Sequence, residues 1–313
     1  MMTLRIPYTR IISTRHPHGL GQNGVTQMFE IRLRINRGFN YIRDSYMSKS
    51  GEAIRLNPFS MEMVGDGAVV VFIGKRKTGK SFCVRDLMFN KSDFPAGQVM
   101  SGTEEANQFY ADFVPSRLIS YEWLPKKFDK FIKRQQIITT QKKTDPNFNF
   151  CDPRGFIILD DLMYDTSWIK YKSTKMLFMN GRHYNIMFVI TMQYPLGITP
   201  ALRTNLDYVF IFRETNIQNR KRLYENYAGM FPTFDIFCKT MDKYTTDYGC
   251  MVICNDTSSN DIRDQVFSYK AKDHGPFKTC DTMLWEMSEK KTLVANRPGG
   301  PQGGAGRDRP RNY

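Results

Sequence analysis

Short apolar runs recur along this chain, and polar segments with helical spacing separate them. Val69-Val70-Val71-Phe72-Ile73 is rich in β-branched residues and reads as a buried strand. Further strands are expected at Gly97 to Thr103, Gly155 to Leu159, Ile186 to Met192 and Tyr208 to Phe212. Helical spacing lies between them, at Phe82 to Phe89, in the basic stretch Pro125 to Gln141, and from Lys170 to His183. Buried strands joined by helices or long crossovers imply an α/β fold with a mainly parallel central sheet flanked by helices. Beyond Glu214, helices are expected at Asn216 to Tyr227 and Met230 to Tyr244. Strands at Tyr248 to Cys254 and Val266 to Tyr269 would extend the sheet. Upstream, Phe29 to Ile35 alternates apolar and charged residues, the pattern of an amphipathic edge strand. Gly38 to Gly67 carries no clear pattern.

The first buried run ends in Gly74-Lys75-Arg76-Lys77-Thr78-Gly79-Lys80-Ser81, a G-x-x-x-x-G-K-S phosphate loop. Its glycines let the backbone N–H groups curl around a polyphosphate. Lys80 then reaches the β/γ-phosphates, and the Ser81 hydroxyl can ligate Mg²⁺. Strand, loop and helix come in the order this chemistry requires, so an ATP-type nucleotide is expected at a helix N-terminus. Phe156-Ile157-Ile158-Leu159-Asp160-Asp161 has the Walker B form. Asp160 would hold Mg²⁺ through its water shell, and Asp161 stands where an acid could polarise the attacking water. Gln193 tips the next strand. This resembles P-loop ATPases in which such a residue senses the γ-phosphate.

Charge adds a second partner. The chain has 313 residues with 45 Lys+Arg against 31 Asp+Glu, a formal net charge of +14, which suits a polyanion such as nucleic acid. Met1 to Met28 contains no acidic residue, and Pro7 and Pro17 interrupt any amphipathic helix, so it reads as a basic arm. Residues 1–60 therefore form an N-terminal arm and edge strand, 61–285 the P-loop domain, and 296–313 a Gly/Pro/Arg-rich disordered tail. Arg220-Lys221-Arg222 reads as a solvated helix face. No apolar run approaches the ~20 residues of a membrane helix, so no membrane span is expected. The six cysteines make no disulfide framework; Cys83 and Cys151 are expected to flank the nucleotide site, and Cys250 and Cys254 to pack in the core.

The chain resembles the genome-packaging ATPases of large nucleocytoplasmic double-stranded DNA viruses, a branch of the FtsK–HerA superfamily. The resemblance rests on GKRKTGKS (74–81), VMSGTEEANQFYADFVP (99–115), FIILDD (156–161), GRHYNI (181–186), FVITMQY (188–194) and LRTNLDYVFIFRE (202–214). It implies a RecA-like (ASCE) P-loop NTPase that hydrolyses ATP with Mg²⁺. It further implies a homo-oligomeric ring that threads double-stranded DNA into a capsid, with capsid or portal-site proteins as partners. The place would be the host-cell cytoplasm where virions assemble, or the virion. Many members of the superfamily carry Glu where this chain has Asp161, which weakens the case for Asp161 as catalytic base. The rival readings are a P-loop kinase and a nucleotide-gated scaffold. Arg182 follows a helix and precedes a core strand at the end away from the nucleotide, so it is the candidate arginine finger acting in trans. Bonding to the carbonyls of its own helix near Gly181 is the alternative for Arg182, and Arg203 is the second candidate finger.

Overall fold

Val69–Ile73 is buried along its whole length, and five consecutive buried residues can form a strand only where both faces of a sheet are covered. The computed structural model describes residues 51–295 except 146, 149 and 163, and from Ala53 onward they belong to one compact unit. The basic arm, the strand expected at Phe29 to Ile35 and the tail 296–313 lie outside the described residues.

In chain order the elements are β1 (Asn57–Pro58), β2 (Val69–Ile73), α1 (Lys80–Asn90), β3 (Gly97–Ser101), α2 (Glu104–Asn107), β4 (Ile119–Ser120), α3 (Pro125–Thr144) and β5 (Gly155–Asp160). Then come α4 (Ser167–Lys170), α5 (Lys172–Asn180), β6 (Ile186–Met192), α6 (Pro200–Arg203), β7 (Tyr208–Phe212), α7 (Ile217–Tyr227) and α8 (Phe234–Tyr244). The last are β8 (Gly249–Cys254), α9 (Ile262–Gln265), β9 (Val266–Lys270) and α10 (Thr282–Ala295). The strands form one sheet in the order β1-β9-β8-β7-β2-β6-β5-β3-β4. All neighbours are parallel except β8, which runs antiparallel to both β7 and β9. The expected α/β fold with a mainly parallel sheet is therefore the observed one.

Alternation along β2 divides the core. Val69, Val71 and Ile73 join one apolar cluster, while Val70 and Phe72 join the other on the opposite face. The helix α3 covers the first face with Phe128, Phe131, Ile132 and Ile138, a helical stripe that leaves Lys126, Lys130 and Lys133 exposed. The second face is covered by α1 through Cys83, Val84, Leu87 and Met88. Cys250 and Cys254 are buried on that second face, as core residues. At β3, Gly97 leaves room for the Phe156 ring, whose atoms would lie only 2.2 Å from an added Cβ.

Four elements depart from the sequence pattern. β1 and β4 are two-residue edge strands with too few positions to show a period, and Pro58 suits an edge because it donates no ladder bond. α10 was not legible, since its apolar residues show little helical bias. α8 begins at Phe234 rather than near Met230, because the Thr233 hydroxyl accepts from the Ile236 N–H at 3.2 Å and caps it there.

Residues after β9 strap α1 to the sheet. The buried Asp86 carboxylate accepts from the Tyr269 hydroxyl and, at 2.7 Å, from the Lys272 N–H, with His274 Nε2 also at 2.7 Å. His274 stacks on Phe89 with ring centroids 3.7 Å apart, and Arg85 donates to the His274 and Gly275 carbonyls. Replacing Asp86→Ala strands those donors in the interior and should lower unfolding free energy by about 3 kcal/mol in denaturant titration. A loss well under 1 kcal/mol would show that the strap does not hold the phosphate-loop helix.

Candidate nucleotide site

Parallel strands bring their C-terminal ends to one edge, and the register decides which residues meet there. Ile73 pairs with Met192, Thr191 with Asp160, and Asp160 with Ser101, so four strand tips stand side by side. The loop 74–79 leaves this edge from β2. Gly74 N–H donates to the Met192 carbonyl at 3.1 Å, and the Thr78 hydroxyl to the Lys75 carbonyl at 2.8 Å. Lys77 has φ 61° and Gly79 φ 100°, which curls the backbone before α1 starts at Lys80. A side chain at Gly79 would be strained at that φ and would press on Tyr248 at 3.3 Å.

Lys80 folds over this loop and donates from Nζ to the Gly74 and Lys75 carbonyls at 2.7 and 2.8 Å. Burial pulls its pKa below the usual lysine value, against the carboxylates of Asp161 and Asp160, which hold it up. Lys75 turns the other way, pairing with Glu214 at 2.6 Å and donating to Thr215 at 3.1 Å. Arg76, Lys77 and Ser81 are exposed at the loop and the first turn of α1.

Asp160 is buried and accepts from the hydroxyls of Thr191 at 2.5 Å and Ser101 at 3.0 Å. Burial pushes its carboxyl above the ordinary range, and the two hydroxyls partly offset that. Asp161 takes φ 50°, with its N–H donating to Thr191 Oγ1 at 3.1 Å. Gln193 Nε2 donates to both Asp161 carboxylate oxygens, at 2.8 and 2.7 Å. The structure thus brings Lys80, Asp160, Asp161 and Gln193 together at the mouth of the phosphate loop.

It does not bring Arg182 there. Arg182 lies in the 3-10 turn Gly181–Tyr184 that precedes β6, at the opposite edge of the sheet. Its Nη2 is 3.3 Å from Asp207 Oδ1, so it pairs with an acid rather than with its own helix carbonyls. Arg203 donates from Nε to the Ile198 carbonyl at 2.9 Å, bonds the Asn226 side chain, and lies over the Tyr227 ring, bracing the segment that follows β6. Cys151 precedes β5 and is at the edge away from the phosphate loop, so the expectation that it flanks the site is corrected. Cys83 is on α1 but points into the core.

Sequence reasoning missed several residues. Thr191 and Ser101 are hydroxyls at the ends of otherwise apolar strands, a signal that could have been read as aimed at the neighbouring Asp. Glu104, buried after β3, accepts from the Tyr110 and Ala111 N–H groups at 3.0 and 2.9 Å and shapes the loop beside Asp160. Among the described residues no cluster of His, Cys, Asp or Glu could hold a metal alone. The exposed Ser81 hydroxyl and the Asp160 carboxylate are hard oxygen donors that suit Mg²⁺ when phosphate oxygens and water complete its shell.

No family model matches the chain. Protein 088R of invertebrate iridescent virus 3 is 40% identical over 230 residues, covering 70% of this chain and 85% of that protein. Protein L437 of Acanthamoeba polyphaga mimivirus is 42% identical over 214 residues, covering 68% and 75%. Among solved structures, the genome packaging NTPase B204 from Sulfolobus turreted icosahedral virus 2, in complex with AMPPCP, gives a TM-score of 0.45 at 14% identity. That alignment covers 66% of this chain and 100% of the other.

The double role of Thr191 is open to test. Thr191→Val removes one donor to buried Asp160 and the acceptor for Asp161 N–H, and should cost roughly 1–3 kcal/mol of stability together with Mg²⁺-dependent nucleotide affinity. Thr191→Ser keeps the hydroxyl and should restore both. Equal behaviour of the two variants in thermal melts and nucleotide titration would remove the hydroxyl from the account.

Proposed function

The chain belongs to the P-loop protein family that large nucleocytoplasmic double-stranded DNA viruses carry, with relatives in an iridescent virus and a mimivirus; we propose that it hydrolyses ATP to drive double-stranded DNA into capsids. The observation that carries this reading is the convergence of Lys80, Asp160, Asp161 and Gln193 on one mouth at the sheet's C-terminal edge. The N–H groups of the loop and the α1 N-terminus cradle the phosphates, and Lys80 moves its charge from the loop carbonyls onto them. Ser81 and Asp160 would hold Mg²⁺, which when bound neutralises charge on the β- and γ-phosphates. Asp161 polarises the attacking water, and Gln193, which donates to both Asp161 oxygens, would sense the γ-phosphate through that carboxylate.

DNA as the polyanion is supported by the +14 net charge and by the lysines exposed along α3. Work on DNA calls for a ring of copies, with capsid or portal-site proteins at its mouth and the host-cell cytoplasm or virion as its place. No described helix is long and apolar enough to cross a membrane. In such a ring Arg182 would serve a neighbour's site. It is about half exposed and lies at the edge away from its own phosphate loop, so a neighbouring subunit is the way for it to reach a γ-phosphate.

Phosphate release with and without double-stranded DNA tests the reading as a whole: DNA should stimulate it. Transfer of phosphate to a small acceptor would instead reveal a kinase, and no release at all a scaffold. Lys80→Ala should abolish turnover, whereas Asp161→Asn should bind Mg-ATP normally and hydrolyse it on the order of a hundredfold more slowly. Normal turnover by Asp161→Asn would move the base elsewhere.

The arginine is tested by mixing subunits. Arg182→Ala and Lys80→Ala proteins, each inactive alone, should regain part of the activity together, because some interfaces then pair an intact loop with an intact arginine. Co-assembly with no regained activity would place the role of Arg182 within its own chain.

A further inference from the structure

Next to the phosphate loop lies a cavity of about 500 Å³ lined by Lys77, Gly79, Phe82, Tyr248, Lys270, Ala271 and Asp273. Its size falls within the ~300–1,000 Å³ of small-molecule sites. Two of its walls are large apolar rings that the core does not use, Phe82 at 58% and Tyr248 at 65% exposure. Among the described residues neither ring packs against another aromatic ring. Phe82 projects from the first turn of α1, and Tyr248 enters from the turn before β8.

That turn is strained. Asp247 and Tyr248 both have positive φ, 49° and 61°, in consecutive non-glycine residues. A bulky aromatic is an outlier at such φ, and strain of this kind persists where the surroundings impose it, often at ligand clamps. Asp247 pairs with the exposed Lys270 of the adjacent strand β9, and Tyr248 is in contact range of the Gly79 position. The backbone therefore pays to hold the Tyr248 ring beside the phosphate loop.

We propose that this cavity is the nucleobase subsite of the nucleotide whose phosphates the 74–81 loop holds, with Phe82 and Tyr248 supplying the faces on which a purine stacks. The proposal rests on the nucleotide reading of that loop and adds the base to it. The occupant follows from continuity, because Lys77 and Gly79 belong at once to the phosphate loop and to the cavity wall. The chemistry of the wall also sets its selectivity. Lys270 is paired with Asp247, and Asp273 lies 3.5 Å from Arg85. No buried polar side chain lines the cavity, and it is buried hydrogen-bonding groups that reject an analogue strongly. Stacking is tolerant of base edges and scales with the π-face, so adenine and guanine should be accepted about equally and pyrimidines less well.

Calorimetric titration of the full-length protein with Mg-ATP, Mg-GTP, Mg-CTP and inorganic tripolyphosphate separates base from phosphates. Tyr248→Ala and Phe82→Ala should each weaken ATP binding on the order of tenfold while leaving tripolyphosphate unchanged. Tyr248→Phe should bind ATP as the parent does, and GTP should match ATP with CTP several-fold weaker. Both rings are exposed, so truncation leaves the core intact, and thermal melts verify this. ATP binding unchanged in both alanine variants would overturn the subsite while leaving the phosphate loop standing. Equal loss of ATP and tripolyphosphate would make Tyr248 a support for Gly79 and overturn the stacking role. Failure of the parent protein to bind either ligand would instead overturn the nucleotide reading beneath it.

Discussion

The hydrogen bonding of one buried carboxylate, that of Asp160, governs the rest of the site. A carboxylate at this depth costs several kcal/mol unless it is hydrogen-bonded. The faces of the sheet are apolar, so its donors can come only from neighbouring strands. Parallel register supplies them: Thr191 on one side and Ser101 on the other. The Thr191 hydroxyl has a single proton, and once that goes to Asp160 its lone pair is left for the Asp161 N–H. The chain is thereby turned at Asp161 into a left-handed conformation. Gln193, two residues beyond Thr191, then reaches the Asp161 carboxylate with its amide. One hydroxyl thus fixes where both acids point.

The phosphate loop is held from outside itself, by ties on both flanks. On the β7 side Glu214 binds Lys75 and accepts from Asn216 and Asn219. Burial opposes its ionisation, but these partners outweigh it and hold its carboxyl below the usual range. On the other flank the strap from β9 fastens α1 through Asp86. Between these anchors Lys80 rests on carbonyls of the loop, a weak hold for an ammonium group compared with a polyphosphate. The Lys80 ammonium group therefore sits on the loop itself, on carbonyls that the ties on both flanks hold in place.

Where the sequence was legible, it was legible through period and through motif. The five core strands, the helices at Lys80, Pro125 and Ile217, and the sheet extension through β8 and β9 all carry either continuous apolar runs or regular spacing. The phosphate loop and Walker B acids are local in sequence, so their neighbours could be named in advance. What escaped was set by contacts across the sheet. Thr191, Ser101 and Glu214 matter through partners at separations of 31, 59 and about 140 residues; a hydroxyl at a strand tip hints at a polar neighbour but does not say which one. The sequence pattern places Tyr248 at the start of a strand, because a tyrosine before an apolar run fits it. Its left-handed φ, and with it its outward ring, comes from the tight turn between α8 and β8.

The arginines near the sheet differ in how much each would lose by letting go of its present partners. Arg203 has a carbonyl, an amide and an aromatic ring. Arg154 grips Asp152 and Asp93 and lies over Phe94. Removing either would leave several groups unpaired at once. Arg182 has one ion pair, at 3.3 Å with a side chain 52% exposed, and exposed pairs of that kind contribute ~0–1 kcal/mol. Its partner does not depend on it, because Asp207 also accepts from the Val69 N–H at 2.8 Å at the base of β2. A phosphate oxygen in a desolvated interface offers a guanidinium a stronger bond than Asp207 does. Were a neighbouring subunit's phosphate to come within reach, Arg182 would give up only that one exposed pair, and the strand beneath would stay anchored through Asp207 and the Val69 N–H.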